Sequence, residues 1–328
     1  MGIVRWMVVG VCGAGLAVLG ACGGGGLPAV EDTRPSQDER ILAAPAGMSD
    51  GSPMAPHLTE TLATSIPLES TGAVGGMSMD AQGNLYSTNF DENVWRIAPD
   101  GTTILLNGEF ESASGNLSLP DGDLLQADWT AHRIYRIRPD GSRTVFSEEG
   151  LMGPVGIARL PDGDFLVANH KGPYLARVPS EGGAAEIVLR DDRMTEPNGV
   201  TVDDDGNVFV ADLGTGIVFK WTPDGELLEL TTLPGAGNAH NVIAGGALYV
   251  NKIWDHVIYR VELDSGAYGI VTGNGYAGYD DGPTGVATIE EPNGIATNAA
   301  RDVVYFNTHR GTMGGGMGLI VLRRLVLP

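Results

Sequence analysis

From about residue 57 onward the chain is built from short apolar and β-branched runs separated by Gly, Asp and Asn. The clearest unit opens with Pro197-Asn198-Gly199-Val200-Thr201-Val202-Asp203. It continues through Gly206-Asn207-Val208-Phe209-Val210-Ala211-Asp212 and Ile217-Val218-Phe219-Lys220-Trp221, and turns at Pro223-Asp224-Gly225. A fourth run follows at residues 226–232. Runs of this length, bounded by turn residues, read as β-strands.

The unit recurs. Its leading glycine has counterparts at Gly76, Gly115, Gly156 and Gly294, with Asn241 in the fifth register. A second glycine returns seven positions later at Gly83, Gly122, Gly163 and Gly206. The closing turn returns as Pro99-Asp100-Gly101 and Pro139-Asp140-Gly141. A lone four-stranded sheet cannot bury both faces, whereas sheets packed radially bury each other's. The pattern therefore predicts an all-β six-bladed β-propeller of four-stranded blades over residues 57–328. The last copy is followed by only one further strand, near residues 319–326. Residues 58–68 have strand character and belong to no copy. They are expected to supply the outer strand of blade six, latching the first blade to the last.

Blade topology brings two sets of positions to one face of the ring. Residues just before each innermost strand (entry) and just after the second strand (exit) meet around the central channel. Among the entry positions, Asn198, His240 and Asn293 are polar and differ between blades. The exit positions include Asp128, Asn169, Asp212 and Asn307, with His170 and His309 directly after two of them. Such a ring of amides, carboxylates and imidazoles suits a polar ligand or a cation. Strand-end Asn and Asp also commonly bond turn backbones. The acidic run at residues 203–207 occupies an ordinary inter-strand turn and lacks the spacing of a calcium loop.

The repeats resemble those of the NHL-repeat and SMP-30/gluconolactonase-like six-bladed propellers. A second mark is Gly273-Asn274-Gly275-Tyr276-Ala277-Gly278-Tyr279-Asp280-Asp281-Gly282, which looks like the long inter-blade loop of NHL propellers. The resemblance implies a divalent cation, such as calcium, at the channel mouth, held by Glu, Asn and Asp and polarising a lactone carbonyl. Asn198 matches such an Asn, and Asp212 is the accompanying metal-ligand candidate; Asp128 is a substitute. The chain departs from the pattern where Gly75 and His240 stand in place of carboxylates.

The N-terminus changes the setting. Arg5 precedes an apolar run that ends in Leu19-Gly20-Ala21-Cys22, which resembles a bacterial lipobox. Residues 1–21 are expected to be a lipoprotein signal peptide, with Cys22 the lipidated residue. Residues 22–56 open with four glycines and read as a flexible tether. The expected location is the cell envelope, on the outer membrane where the organism has one, because Gly23 is not the Asp of a retention signal. A net charge of −21 argues against a nucleic-acid partner. The expectation is an exported, lipid-anchored propeller that binds a protein, glycan or small polar ligand at the channel mouth. The alternative is a divalent-metal-dependent lactone hydrolase.

Overall fold

The computed structural model describes residues 47–52, 54–64, 67–70, 73–311 and 318–328. The expected signal peptide, Cys22 and most of the expected tether lie outside them. The described chain is all β: five sheets of four antiparallel strands and a sixth sheet that draws on both ends of the chain. Blade one runs from Met77–Met79 to Thr103–Asn107, and blade four from Pro197–Val202 to Leu227–Thr232. The innermost strand of blade six, Ile295–Thr297, packs against that of blade one, which closes the ring.

Both faces of each sheet are covered, so alternation gives way to continuous burial. Every residue of Val208–Asp212, the second strand of blade four, is buried. Apolar clusters fill the gaps between blades. One joins Phe209, Ala211 and Val218 of blade four to Val250, Val257 and Tyr259 of blade five. Another joins Ala296 and Leu322 of blade six to Met77, Leu85 and Trp95 of blade one, with Leu68 between them. At about 25 cal/mol per Å² of apolar surface, these interfaces are the main source of stability.

The N-terminal latch forms as two short pieces rather than one strand. Leu58–Thr61 pairs antiparallel with residues 323–326 of the last strand, and Leu68–Ser70 pairs with residues 318–320. The glycine-rich loop contributes Gly282–Pro283 outside the first piece. Asp281 ties the parts together: its carboxylate accepts from Thr61 N and Oγ1, both at 2.9 Å, and from the fully buried Arg323 at 2.7 Å. The folded unit also starts earlier than residue 57. Met48 is buried, and Ser49 exchanges hydrogen bonds with Tyr268 on the rim of blade five.

The acidic run of blade four is a turn. Asp203 Oδ1 accepts from Asp205 N and Asn207 N, and Asp80 makes the same bonds in blade one. Deleting residues 57–70 exposes an open edge on the last strand. The deletion is expected to lower the melting temperature by about 10 °C, the equivalent of a few kcal/mol in a domain of this size. Deleting residues 23–45 is expected to leave it unchanged. Differential scanning calorimetry of the two deletions checks this; equal melting temperatures would show that the latch does not hold the ring.

Candidate functional site

The channel is shaped by a defect repeated in the innermost strands. In blades two to five the register to the second strand slips at the start of the strand: between Ala113 and Asn116, Pro154 and Ile157, Pro197 and Gly199, and Asn238 and Asn241. These bulges push each strand's beginning toward the axis, where the next blade's backbone meets it. The leading glycines sit at the contact. A Cβ on Gly199 would lie 2.7 Å from Ala239 O, and one on Gly294 would lie 2.6 Å from Gly75 O. No side chain fits there.

The exit residues hold the entry loops. Asp212 is fully buried, and its carboxylate accepts from Thr195 N and Oγ1, Glu196 N, and Thr215 N and Oγ1, at 2.8–3.0 Å. Asp128 accepts from Glu111 N, Ser112 N and Ala131 N. Asn169 Oδ1 accepts from Met152 N at 2.8 Å. Asn307 Oδ1 accepts from Gly294 N at 2.7 Å, and its Nδ2 donates to Gly75 O across the ring closure. Blade five inverts the pattern. Buried Lys252 donates to Asn238 Oδ1 at 3.0 Å and to Gly235 O, and burial pulls its pKa down to about 8.

The entry trio divides. Asn293 donates its amide to Val74 O, and its own carbonyl accepts from Asn251. Asn198 is 8% exposed, and its Oδ1 has no partner. His240 reaches across the axis from blade five to blade two, so that a Cβ on Gly115 would lie 3.1 Å from its Cε1. Burial lowers its pKa to about 4, so the imidazole is neutral. His170 packs against Trp129, ring centroids 6.0 Å apart, beside the Lys171 ammonium over the same indole. His309 is buried with neither ring nitrogen partnered. His132 and His256 occupy matching places with φ of 57° and 56°, and their Nδ1 atoms accept from Gly153 N and Glu291 N.

A cavity of about 230 Å³ fills the channel. It is lined by the innermost strands of all six blades, from the level of Gly115 and His240 to Ser118, Arg159, Val202 and Thr297 next to the inter-strand turns. Of the nine candidate residues only His240 lines it. The others lie on the entry and exit side. Three lining residues carry buried polar groups without partners: Ser78, Asn116 and Asn241. Their signal in the sequence is a polar side chain one or two places from the leading glycine, or in its register.

These residues do not fit the divalent cation that the resemblance implies. Gly75 and His240 offer no carboxylate, and the Asp212 carboxylate is already occupied by five donors. Among the described residues, no three His, Cys, Asp or Glu side chains are grouped to hold a metal ion.

Two expectations follow for stability. Asp212→Ala strands buried N–H donors and is expected to cost about 3 kcal/mol, read by urea unfolding. His57 and His240 both have folded pKa values lowered by burial to about 4, against 6.5 when exposed. The unfolded chain therefore binds protons first. Their contribution is complete above the unfolded value and is lost as pH falls from 6.5 toward 4, up to about 3 kcal/mol per imidazole. His240→Asn is expected to flatten that fall relative to the unaltered protein in melts at stepped pH.

Residues 181–254 match the family model described as the SMP-30/Gluconolactonase/LRE-like region. No curated protein matches the chain. Among solved structures, it is similar to an auxiliary nutrient binding protein from Bacteroides ovatus, at 13% identity over 84% of this chain and 78% of that one, TM-score 0.65. It is also similar to a gluconolactonase from Xanthomonas campestris, at 16% identity over 80% and 88%, TM-score 0.59. A virginiamycin B lyase from Staphylococcus aureus aligns at 16% identity over 83% and 100%, TM-score 0.55. By its fold the chain is a six-bladed propeller, and its residues 181–254 are similar to the SMP-30/Gluconolactonase/LRE-like region.

Proposed function

We propose that this protein is an exported, lipid-anchored propeller that binds a small polar ligand in its central channel. The observation that carries the reading is the channel cavity itself, lined by buried polar side chains that have no protein partner. Such groups are costly to leave unmatched, by about 1–3 kcal/mol each, and are held in place where something else satisfies them. The ring architecture is shared with a nutrient binding protein, a gluconolactonase and a lyase, so the fold alone does not choose among these roles. The donor set supports binding over metal-assisted hydrolysis. Lactone hydrolysis assisted by a divalent ion needs a second inward carboxylate near Asn198, and the exit carboxylates are turned to backbone donors instead.

The reading is tested by ligand capture. Protein isolated from its own host is denatured, and the released small molecules are identified by mass spectrometry. Asn116→Ala with Asn241→Ala, both lining the cavity, is expected to abolish the released compound while changing stability by only about 1–2 kcal/mol. The control pair is Asn84→Ala with Asn207→Ala, whose amides bond turn aspartates. Loss in the control but not in the channel pair would place the site elsewhere. A rise in melting temperature with millimolar calcium would favour the hydrolase instead. Anchoring is tested separately: Cys22→Ala is expected to move the folded protein from the membrane to the soluble fraction, since an acidic chain does not adhere by charge.

A further inference from the structure

The segment ahead of the latch is docked on blade five. Ser49 N donates to Tyr268 O, and Tyr268 N donates to Ser49 Oγ at 2.9 Å, at the start of the outer strand Tyr268–Thr272. Met48 is 6% exposed. Its sulfur and that of Met54 sit over Gly269, where a Cβ would lie 3.1 and 3.2 Å from them. These contacts are few, and a segment held by so few opens more readily than the sheet beneath it.

His57 closes the segment. It is buried, and its backbone N donates to Thr284 Oγ1 in the glycine-rich loop while its O accepts from Thr284 N, both at 3.0 Å. Its ring meets Ala55 O through Nδ1 at 3.0 Å and the Tyr249 hydroxyl through Nε2 at 3.2 Å. A carbonyl oxygen only accepts, so Nδ1 carries the hydrogen and Nε2 accepts from Tyr249. The titratable groups of blade five that face the imidazole are Tyr249 and Arg260. The Arg260 guanidinium approaches the same hydroxyl and opposes charge on His57, and Glu262 is already paired with Arg260. The loop presents the uncharged Thr284. Burial, with Arg260 adding to it, lowers the pKa of His57 to about 4. A second proton on the ring turns Nε2 from acceptor to donor. Tyr249 then gives up its donation, and two cations meet at one phenolic oxygen.

We propose that residues 47–57 form an acid-opened clasp: protonation of His57 releases them from blade five, while the latch strand Leu58–Thr61 stays paired. The latch is held independently, by its ladder to residues 323–326 and by Asp281, which binds both Thr61 and Arg323. Released His57 takes up its proton first. Docking is therefore fully favoured above about pH 6.5 and weakens as pH falls toward 4. The gap between those values corresponds to about a 300-fold loss in the docking equilibrium. Opening adds about ten residues to the free segment, roughly 35 Å when extended, and uncovers the edge of Tyr268–Thr272. The clasp lies outside the channel and does not depend on what the channel binds.

Oxidation by hydrogen peroxide reads the clasp, because undocking exposes the Met48 sulfur. The full chain is treated at steps from about pH 7.5 to about pH 4.5, and sulfoxides are mapped by mass spectrometry. Met77 in blade one and Met194 in the loop entering blade four are buried and report on the ring. Oxidation of Met48 is expected to speed up about tenfold or more across that range, with Met77 and Met194 still protected. In His57→Gln the rate is expected to be independent of pH. If that variant is already fast at the upper end, its rate is the limit that the unaltered protein approaches at the lower end. A Met48 rate that stays flat in the unaltered protein would overturn the proposal. So would a rise shared by Met77 and Met194, which would be unfolding of the ring, or a rise that persists in His57→Gln, which would place the trigger on another group.

Discussion

The structure depends on how closely six backbones can approach one axis. In blades two to five the innermost strand begins with a bulge, and the start of each strand sits against the backbone of the next blade. In five of the six blades a Cβ at that contact would meet the neighbouring blade too closely. Gly76, Gly115, Gly156, Gly199 and Gly294 therefore recur at the same place in the repeat. Blade five has Asn241 there, and its Nδ2 bonds Phe209 O in the neighbouring blade. Gly115, Gly156 and Asn241 at this level also line the channel cavity.

Backbones brought so near must have their polar groups satisfied, and the exit residues do much of that. The Asp212 carboxylate gathers the N–H groups of the loop entering blade four, and Asp128 does the same in blade two. Asn307 spans blades six and one at the point of closure. Each fixes where the innermost strand of its own blade begins, and so fixes the channel wall. Residues that look like a ligand ring in a one-dimensional reading are thus part of the wall's support. The polar groups left over are deeper, on the innermost strands themselves.

Closure at the perimeter follows a different logic. A ring of separate sheets has one seam, and here it is sealed by chain segments distant in sequence. Two short N-terminal strands pair with the last strand, and Asp281 of the glycine-rich loop joins Thr61 to Arg323. The Arg323 guanidinium is buried, and it also donates to the Thr288 and Asp280 carbonyls, so the charge is matched by a carboxylate and by backbone oxygens. The loop that lengthens the fifth repeat is therefore anchored against the latch.

The repeated glycines, the Pro-Asp-Gly turns and the unmatched strand near residue 58 were enough to predict six four-stranded blades and their closure from the sequence. These signals are local: they depend on turn conformation and on apolar periodicity, both written within a few residues. The split of the latch into two pieces, and the docking of Met48 and Ser49 on blade five, depend on edges that exist only once the sheets are assembled. The same holds for the site. Of the polar residues marked from the sequence as gathering at the axis, His240 lines the channel cavity. The sequence carried no information on side-chain direction at strand ends, which decided that Asp128, Asn169, Asp212 and Asn307 bond entry-loop backbone. Nor did it mark Ser78, Asn116 and Asn241 as neighbours, because residues from blades one, two and five come together only when the ring closes.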